Sequence, residues 1–209
     1  MAVQIPETAP VMVLPDCNFF PGTPLPLRIF EPRYRAMLEF VLQGERMFCM
    51  GTIARESSLP RDEEAGIYRH GTLGLVRACV RNSDGTSNLL LEGLQRVAFE
   101  AWTREKPFRI AAITPVQTKV EDEARIEAAS EKLHEFALRL CRVNLEISPQ
   151  IQNHLQNALS PEALVDLVAF YLIEDVHTRH ALLGMEVLLD RVTFVTERLR
   201  GKLNQFPDV

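Results

Sequence analysis

Residues 20–34 read FPGTPLPLRIFEPRY, and the way this stretch folds decides how the front of the chain is organised. Pro21-Gly22 has the composition of the central pair of a type II turn, with proline presetting φ and glycine taking the positive φ that follows. Pro24 and Pro26 then alternate with Leu25 and Leu27. Two absent N–H groups on alternate residues suit an extended strand whose proline side pairs with nothing, so the segment reads as a sheet edge or polyproline-like ribbon with its leucines inward. Pro32 can open a helix, and Tyr34, Met37, Leu38, Val41 and Leu42 give it an apolar face that ends at Gly44.

On both sides of this segment lie short runs rich in β-branched and aromatic residues, punctuated by Gly, Pro, Asn and Asp. They are VMVL (11–14), MFCMGTIA (47–54), TLGLVRACVR (72–81), NLLLEG (88–93), QRVAFEAW (95–102) and RIAAITPV (109–116). Each reads as a strand. Asp84-Gly85, within NSDGT (82–86), supplies a strong hairpin signal between two of them. So many short strands in one stretch predict a small closed or half-closed barrel, because an open sheet would leave edges to protect. RESSLPRDEEAG (55–66) is polar and turn-rich and reads as a surface loop.

Near residue 118 the period changes. Ile126, Ala129, Leu133, Phe136, Leu140 and Val143 are spaced for one face of a helix, as are Met185, Leu188, Val192, Val195 and Leu199. Ser148-Pro149 and Ser160-Pro161 each pair a capping hydroxyl with proline at the first helical position, which starts two more helices. The second carries Asp166 as its only charge between Ala163 and Ile173, and a helix apolar nearly all round belongs at the centre of a bundle. The expected organisation is α+β, a β-barrel subdomain over residues 1–118 followed by a C-terminal helical bundle over residues 119–209.

Composition narrows the function. Residues 1–118 hold 13 Lys+Arg against 13 Asp+Glu and residues 119–209 hold 10 against 15, so the net charge of −5 comes from the second part. Nucleic-acid binding leans on basic side chains that neutralise phosphate, and no basic stripe exists here; DNA is not expected as a partner, and the balance argues against RNA. The longest apolar run, Leu167 to Ile173, is too short to span a bilayer, and MAVQIPETAPVMVLP lacks the basic and continuous apolar regions of a secretory signal. No membrane association and a cytoplasmic location are expected. Cysteines at 17, 49, 79 and 141 show no CxxC and no metal-like spacing, and are expected reduced and buried.

Two arginines break a local rule. Arg33 and Arg35 fall in the first turn of the helix opened by Pro32, where the macrodipole disfavours cations. Arg35 can pair with Glu39 at i,i+4, and Arg33 with Glu31 or a backbone carbonyl. Arg33 is therefore read either as part of an internal ion pair fastening helix to barrel or as a ligand-binding group.

LP..NFFPGTPLPLRIFEPRYRAML resembles the start of the N-terminal, substrate-binding domain of Lon proteases, whose pattern runs from a strand through a proline-rich FPG turn to an IFEPRY-like helix start. DGTSNLLLEGLQRVAFE (84–100) is similar to that family's hairpin, and KPFRIAAITPV to its next strand. LVDLVAFYL (164–172) and HALLGMEVLLDRV (180–192) resemble its helical section. The resemblance covers about residues 10–200 and implies a PUA-like small β-barrel followed by a helical bundle. It also implies a stand-alone, non-catalytic module that engages polypeptides and is related to proteolysis.

The residues agree that catalysis is not expected. GIYRHGT (66–72) has the glycines and threonine of a phosphate cradle but no lysine between them, and no GxSxG elbow is present. Lysines stand only at 106, 119, 132 and 202. Glu131-x-x-His134 and Glu174-x-x-His177 have the spacing of a carboxylate-bridged di-metal site, but the apolar face of the first helix puts Glu131 and His134 at its rim. No metal, cofactor or catalytic residue is expected. His70 and His154 lack a nucleophile at readable spacing.

The expected function is capture of unfolded or partner polypeptides. The candidate contacts are Phe19, Phe20, Leu25, Arg33 and the 55–66 loop, with an extended peptide pairing beside Pro24 and Pro26 or resting on apolar side chains. Phe19 and Phe20 are adjacent, so in an extended chain one enters the core and the other is exposed. Two alternatives stand beside this reading: a PUA-like reader of RNA or a small ligand, and an adaptor docking a protease or chaperone. Natural client and oligomeric state are not legible.

Overall fold

A computed structural model describes residues 4–53, 61–62, 66–103, 106–144 and 146–206. The chain divides into two compact units, one ending at Val116 and the other beginning at Gln117.

In the first unit, β1 (Thr8–Leu14) lies parallel to β3 (Met47–Thr52) and antiparallel to β8 (Arg109–Pro115). Parallel neighbours need a crossover. The crossover here is the quoted segment, which forms β2 (Pro24–Ile29) and α1 (Pro32–Leu42). Further on come the short β4 (Arg61–Asp62) and β5 (Ile67–Tyr68), then β6 (His70–Arg81) and β7 (Ser87–Thr103). The main sheet runs β2-β7-β6-β3-β1-β8, and an additional pairing joins β8 to β7. Five strands therefore close on themselves as a barrel, while β2 pairs with β7 alone. Ala9, Val11, Met47, Cys49, Leu73, Val97, Phe99 and Ala111 fill the interior.

NLLLEG and QRVAFEAW, expected as two strands, are one strand of 17 residues. Its first half pairs with β2 and its second with β8. The switch falls at Gly93-Leu94. Gly74 pairs with Gly93 and Leu73 with Gln95, so Leu94 is the extra residue of a bulge, the device by which a long strand bends to serve two neighbours. Gly93 also lies where a Cβ would stand 2.0 Å from the Phe20 carbonyl oxygen, so only glycine fits.

The turn at residues 20–23 forms as expected, with Gly22 at φ 71° and Thr23 N–H donating to the Phe20 carbonyl. α1 buries Tyr34, Met37, Leu38 and Val41. It ends just before Gly44, as expected, and the chain then takes a positive φ of 60° at Arg46. Glu39 pairs with Arg81 at 3.1 Å rather than with Arg35.

The second unit holds α2 (Glu123–Val143), α3 (Pro149–Gln156), α4 (Pro161–Leu172), α5 (Val176–Gly184) and α6 (Leu188–Leu203). Asp122, Ser148, Ser160 and Asp175 cap α2 to α5 by accepting from backbone N–H groups in the first turn. α4 packs against the other four, consistent with its apolar composition. Its one charge is matched: Asp166 and Arg191 of α6 are each 1% exposed and form an ion pair, with Glu162 3.3 Å from the same guanidinium. The buried stripe of α2 runs Ile126, Ser130, Leu133, Ala137, Leu140 and Cys141, rotated from the expected face, since Ala129, Phe136 and Val143 are only half-buried. α6 starts at Leu188 and not at Met185, since Glu186 and Leu188 bond instead to the backbone of Lys119. No helix among the described residues is long and apolar enough to cross a membrane. None of the four cysteines is in a disulfide; Cys49 and Cys141 are buried, whereas Cys17 and Cys79 are only half-buried, contrary to expectation.

Candidate functional site

The expected contact residues do not come together. Phe19 and Phe20 are 1% and 0% exposed, so neither is available at the surface. The alternation argument fails because residues 17–20 are not an extended strand. Leu25 is half-buried in β2 and lies in register with Leu91. The 55–66 loop falls outside the described residues except for Arg61, Asp62 and Gly66.

The edge beside the prolines is a poor template for pairing. The Thr23 carbonyl accepts from Gly93 N–H, so by strand alternation the groups of Leu25, Leu27 and Ile29 point at β7 and those of Pro24, Pro26 and Arg28 point away. Two of those three outward positions have no N–H. The prolines therefore blunt the edge, and strand addition there is a corrected expectation.

Arg33 is placed otherwise. It lines a cavity of about 540 Å³ together with Val11, Val13, Tyr34, Ile53, Gly66, Lys106, Pro107, Phe108 and Arg109. The origin of this cavity is a strand that ends early. β8 pairs with β1 down to Val11↔Arg109, and continuing the register would set Pro107 opposite Val13. Proline cannot donate to a ladder, so the sheet opens at that point. Tyr34 of α1 fills the missing place: its hydroxyl donates to the Val13 carbonyl at 2.8 Å and accepts from the Val13 N–H at 3.2 Å.

Charge gathers around this opening. Arg33 bonds through Nε to Glu31 at 2.9 Å and lies 4.5 Å from the centroid of the Tyr34 ring. Burial pushes the Tyr34 phenol above its usual range; the bond to Val13 and the nearby Arg33 and Arg109 act against that shift, and Glu31 adds to it. The partner foreseen for Arg33, Glu31, is thus present, although Arg33 stays exposed and fastens nothing internally.

A second cavity of about 340 Å³ is bounded by Pro6, Ala9, Pro10, Phe40, Val41 and Met47. Phe40 is 47% exposed, and its ring meets Phe108 of the first cavity with centroids 5.6 Å apart. Lys106 Nζ lies 5.7 Å from the Phe40 centroid. Phe40 is therefore an exposed ring with a cationic neighbour, backed by Phe108, which is buried. Sequence reasoning missed Phe40, Phe108 and Lys106. One signal was present: Phe40 lies off the buried stripe of an amphipathic helix, where a large apolar side chain has no core to enter.

The Glu-x-x-His pairs do not converge. Glu131 and His134 border a cavity of about 260 Å³ between α2 and α4, whereas Glu174 precedes α5 and is ion-paired to Lys202. Among the described residues no group of three or more His, Cys, Asp or Glu is placed to hold a metal ion.

Comparison with known proteins agrees with the fold. A protein 25% identical over 202 residues is the Lon protease of Dictyoglomus thermophilum, with 96% of this chain and 25% of that protein aligned. The Lon protease of Phenylobacterium zucineum is 28% identical over 204 residues, with 95% and 26% covered. The chain thus spans about a quarter of the length of these relatives. Among solved structures, the N-terminal domain of Mycobacterium avium complex Lon protease superposes with a TM-score of 0.72 at 16% identity, covering 92% of this chain and 98% of that one. The Lon N-terminal domain protein from Xanthomonas campestris superposes with a TM-score of 0.60. Residues 8–201 match the family model of the ATP-dependent protease La (LON) substrate-binding domain, and the chain belongs to that family.

Proposed function

We propose that this chain is a non-catalytic recognition module that holds apolar segments of other polypeptides, and that Phe40, backed by the buried Phe108, forms the centre of the contact. The observation that carries this reading is Phe40, 47% exposed, packed against the buried Phe108 and bordering a hollow whose other walls include Pro6, Ala9, Pro10, Val41 and Met47. An extended segment laid over such a ring can place an apolar side chain in the hollow beside it, and a few central anchors supply most of the affinity in contacts of this kind. Family membership supports a substrate-recognition role. The activity and clients of the longer Lon proteases belong to those proteins. Pull-down with an unfolded model polypeptide, run beside a structured RNA at moderate salt, tests the proposal. Retention of the polypeptide and loss of the RNA are expected; the reverse would favour a PUA-like nucleic-acid reader.

A further inference from the structure

We infer that the hollow between α2 and the α3–α4 connection takes a lysine side chain of a partner polypeptide, with its ammonium against α2 and its methylene stem against the leucines opposite. Glu123, Glu127, Glu131 and Glu135 follow one another at i,i+4 along α2, and all are exposed. Like charges at that spacing cost helix stability, a cost that solvated side chains do not recover by packing. Glu127 and Glu131, the middle pair, border a hollow of about 260 Å³ and are in no ion pair among the described residues. No Lys or Arg stands among its described lining residues. Lys132, next to Glu131 in the chain, lies over the Phe136 ring instead, with Nζ 5.7 Å from the centroid.

Two polar side chains set between these carboxylates point to an occupant. Ser130 is 6% exposed and lines the hollow, yet its hydroxyl has no hydrogen-bond partner among the described residues. His134 lines it too, and its Nε2 is likewise shut away without a partner. An unsatisfied buried polar atom costs free energy, and two of them beside one hollow are explained by a ligand that satisfies them. Positions 127, 130, 131 and 134 form a rhombus on one helix face, with neighbouring Cβ atoms about 5–6 Å apart. An ammonium set over it offers three donors and needs no acceptor in return. It meets two carboxylates, the Ser130 hydroxyl oxygen, and the Nε2 of an imidazole protonated at Nδ1. A guanidinium holds its donors in one plane, which matches a single carboxylate better than four sites spread over a helix.

The opposite wall suits the stem. Leu155, Ala158, Pro161 and Leu164 line it with carbon, and lysine lays its methylenes along apolar surface while its charge stays at the polar end. The volume is below that of pockets for drug-sized ligands and is of the order of one long side chain. Leu159 at the rim is 97% exposed, so an apolar residue beside the lysine has a contact of its own, which favours a polypeptide over a free amine. Residues 119–209 hold 15 Asp+Glu against 10 Lys+Arg, a balance that assists the approach of a cation. The hollow lies wholly within the helical unit and needs no contact at Phe40, so the inference goes beyond the reading above and can fail without it.

The test is an amide NMR titration of the whole chain with an end-blocked peptide in which one lysine is flanked by leucines among glycines and serines. Two further peptides carry acetyl-lysine or arginine at the same place. The lysine peptide is expected to give saturable shifts at residues 127–134 and 155–161 and to bind about tenfold tighter than the acetyl-lysine peptide, the effect of roughly one charged hydrogen bond. In the Glu127→Gln/Glu131→Gln variant, whose altered side chains are exposed and remain good helix formers, that margin should fall to about twofold or less. Ser130→Ala should weaken the lysine peptide about threefold without lowering stability, because it removes a hydroxyl that has no partner. Raising salt should shrink the margin in the unmodified protein as well, which keeps the test valid if a variant folds poorly. Equal binding of the lysine and acetyl-lysine peptides, saturable shifts confined to other surfaces, or no shifts at all overturns the inference. Equal binding of the arginine peptide overturns the choice of an ammonium. If the surface at Phe40 still responds to an unfolded polypeptide while this hollow does not, the inference falls and the proposed function stands.

Discussion

Tyr34 and Val13 are joined by two hydrogen bonds through a single hydroxyl, which accepts from the Val13 N–H and donates to its carbonyl. The phenol occupies the position a strand residue would hold if Pro107 could donate, so the same contact closes the sheet and shapes the cavity wall. Tyr34→Phe keeps the ring and orphans two buried backbone groups. A loss of about 1–3 kcal/mol in urea unfolding is expected, with faster hydrogen exchange at the Val13 amide.

Phe40→Ala separates recognition from stability. The side chain is 47% exposed and its main partner is one ring, so unfolding free energy should change by about 1 kcal/mol or less. Peptide affinity should fall at least about fivefold, as expected for a central aromatic anchor. Parallel losses of both would mean that Phe40 is a packing residue.

Arg191 and Asp166 offer a different contrast. Arg191→Met removes the guanidinium that faces Asp166, 1% exposed, inside the helical unit, and a loss of about 3–5 kcal/mol is expected. Arg191→Met combined with Asp166→Leu should recover much of it, because replacing a whole buried pair by apolar groups of similar volume is often neutral or better. Chemical unfolding of the two variants decides the matter.

Asp175 gives a pH dependence of known sign. The Thr178 side chain, followed by its backbone N–H, holds the Asp175 carboxyl below its ordinary value. A depressed folded pKa contributes stability above the unfolded value, about 3.9, and that contribution is lost as pH falls through the folded one. Asp175→Ala should therefore cost about 1 kcal/mol at neutral pH through loss of the α5 cap, and the gap between the two proteins should close in acid below about pH 4.

Local rules carried the fold a long way. Pro21-Gly22, the alternating prolines, and Ser148-Pro149 and Ser160-Pro161 each act within a few residues, so their consequences are legible in one chain. The errors lie where distant partners decide. Gly93-Leu94 interrupts an apolar pattern and reads as a strand boundary; it is a bulge because β7 must turn from β2 to β8. Arg35 has Glu39 at helical spacing, yet Arg81 from the neighbouring hairpin takes that carboxylate. Asp166 is visible as a lone charge, but its partner stands 25 residues away. The candidate site was legible only at Arg33. Its other walls come from β1, from Ile53 and from residues 106–109, which meet around the gap left by Pro107, and no spacing rule joins positions so far apart.

The central claim is that Phe40, backed by the buried Phe108, is the centre of a polypeptide-binding surface, and an amide NMR titration of the chain with an unfolded model polypeptide tests it most directly. Saturable shifts centred on residues 40, 106 and 108 and on β1, lost in Phe40→Ala, are the predicted result. Saturable shifts confined to other surfaces, or none at concentrations that saturate a structured RNA at the same positions, would contradict it.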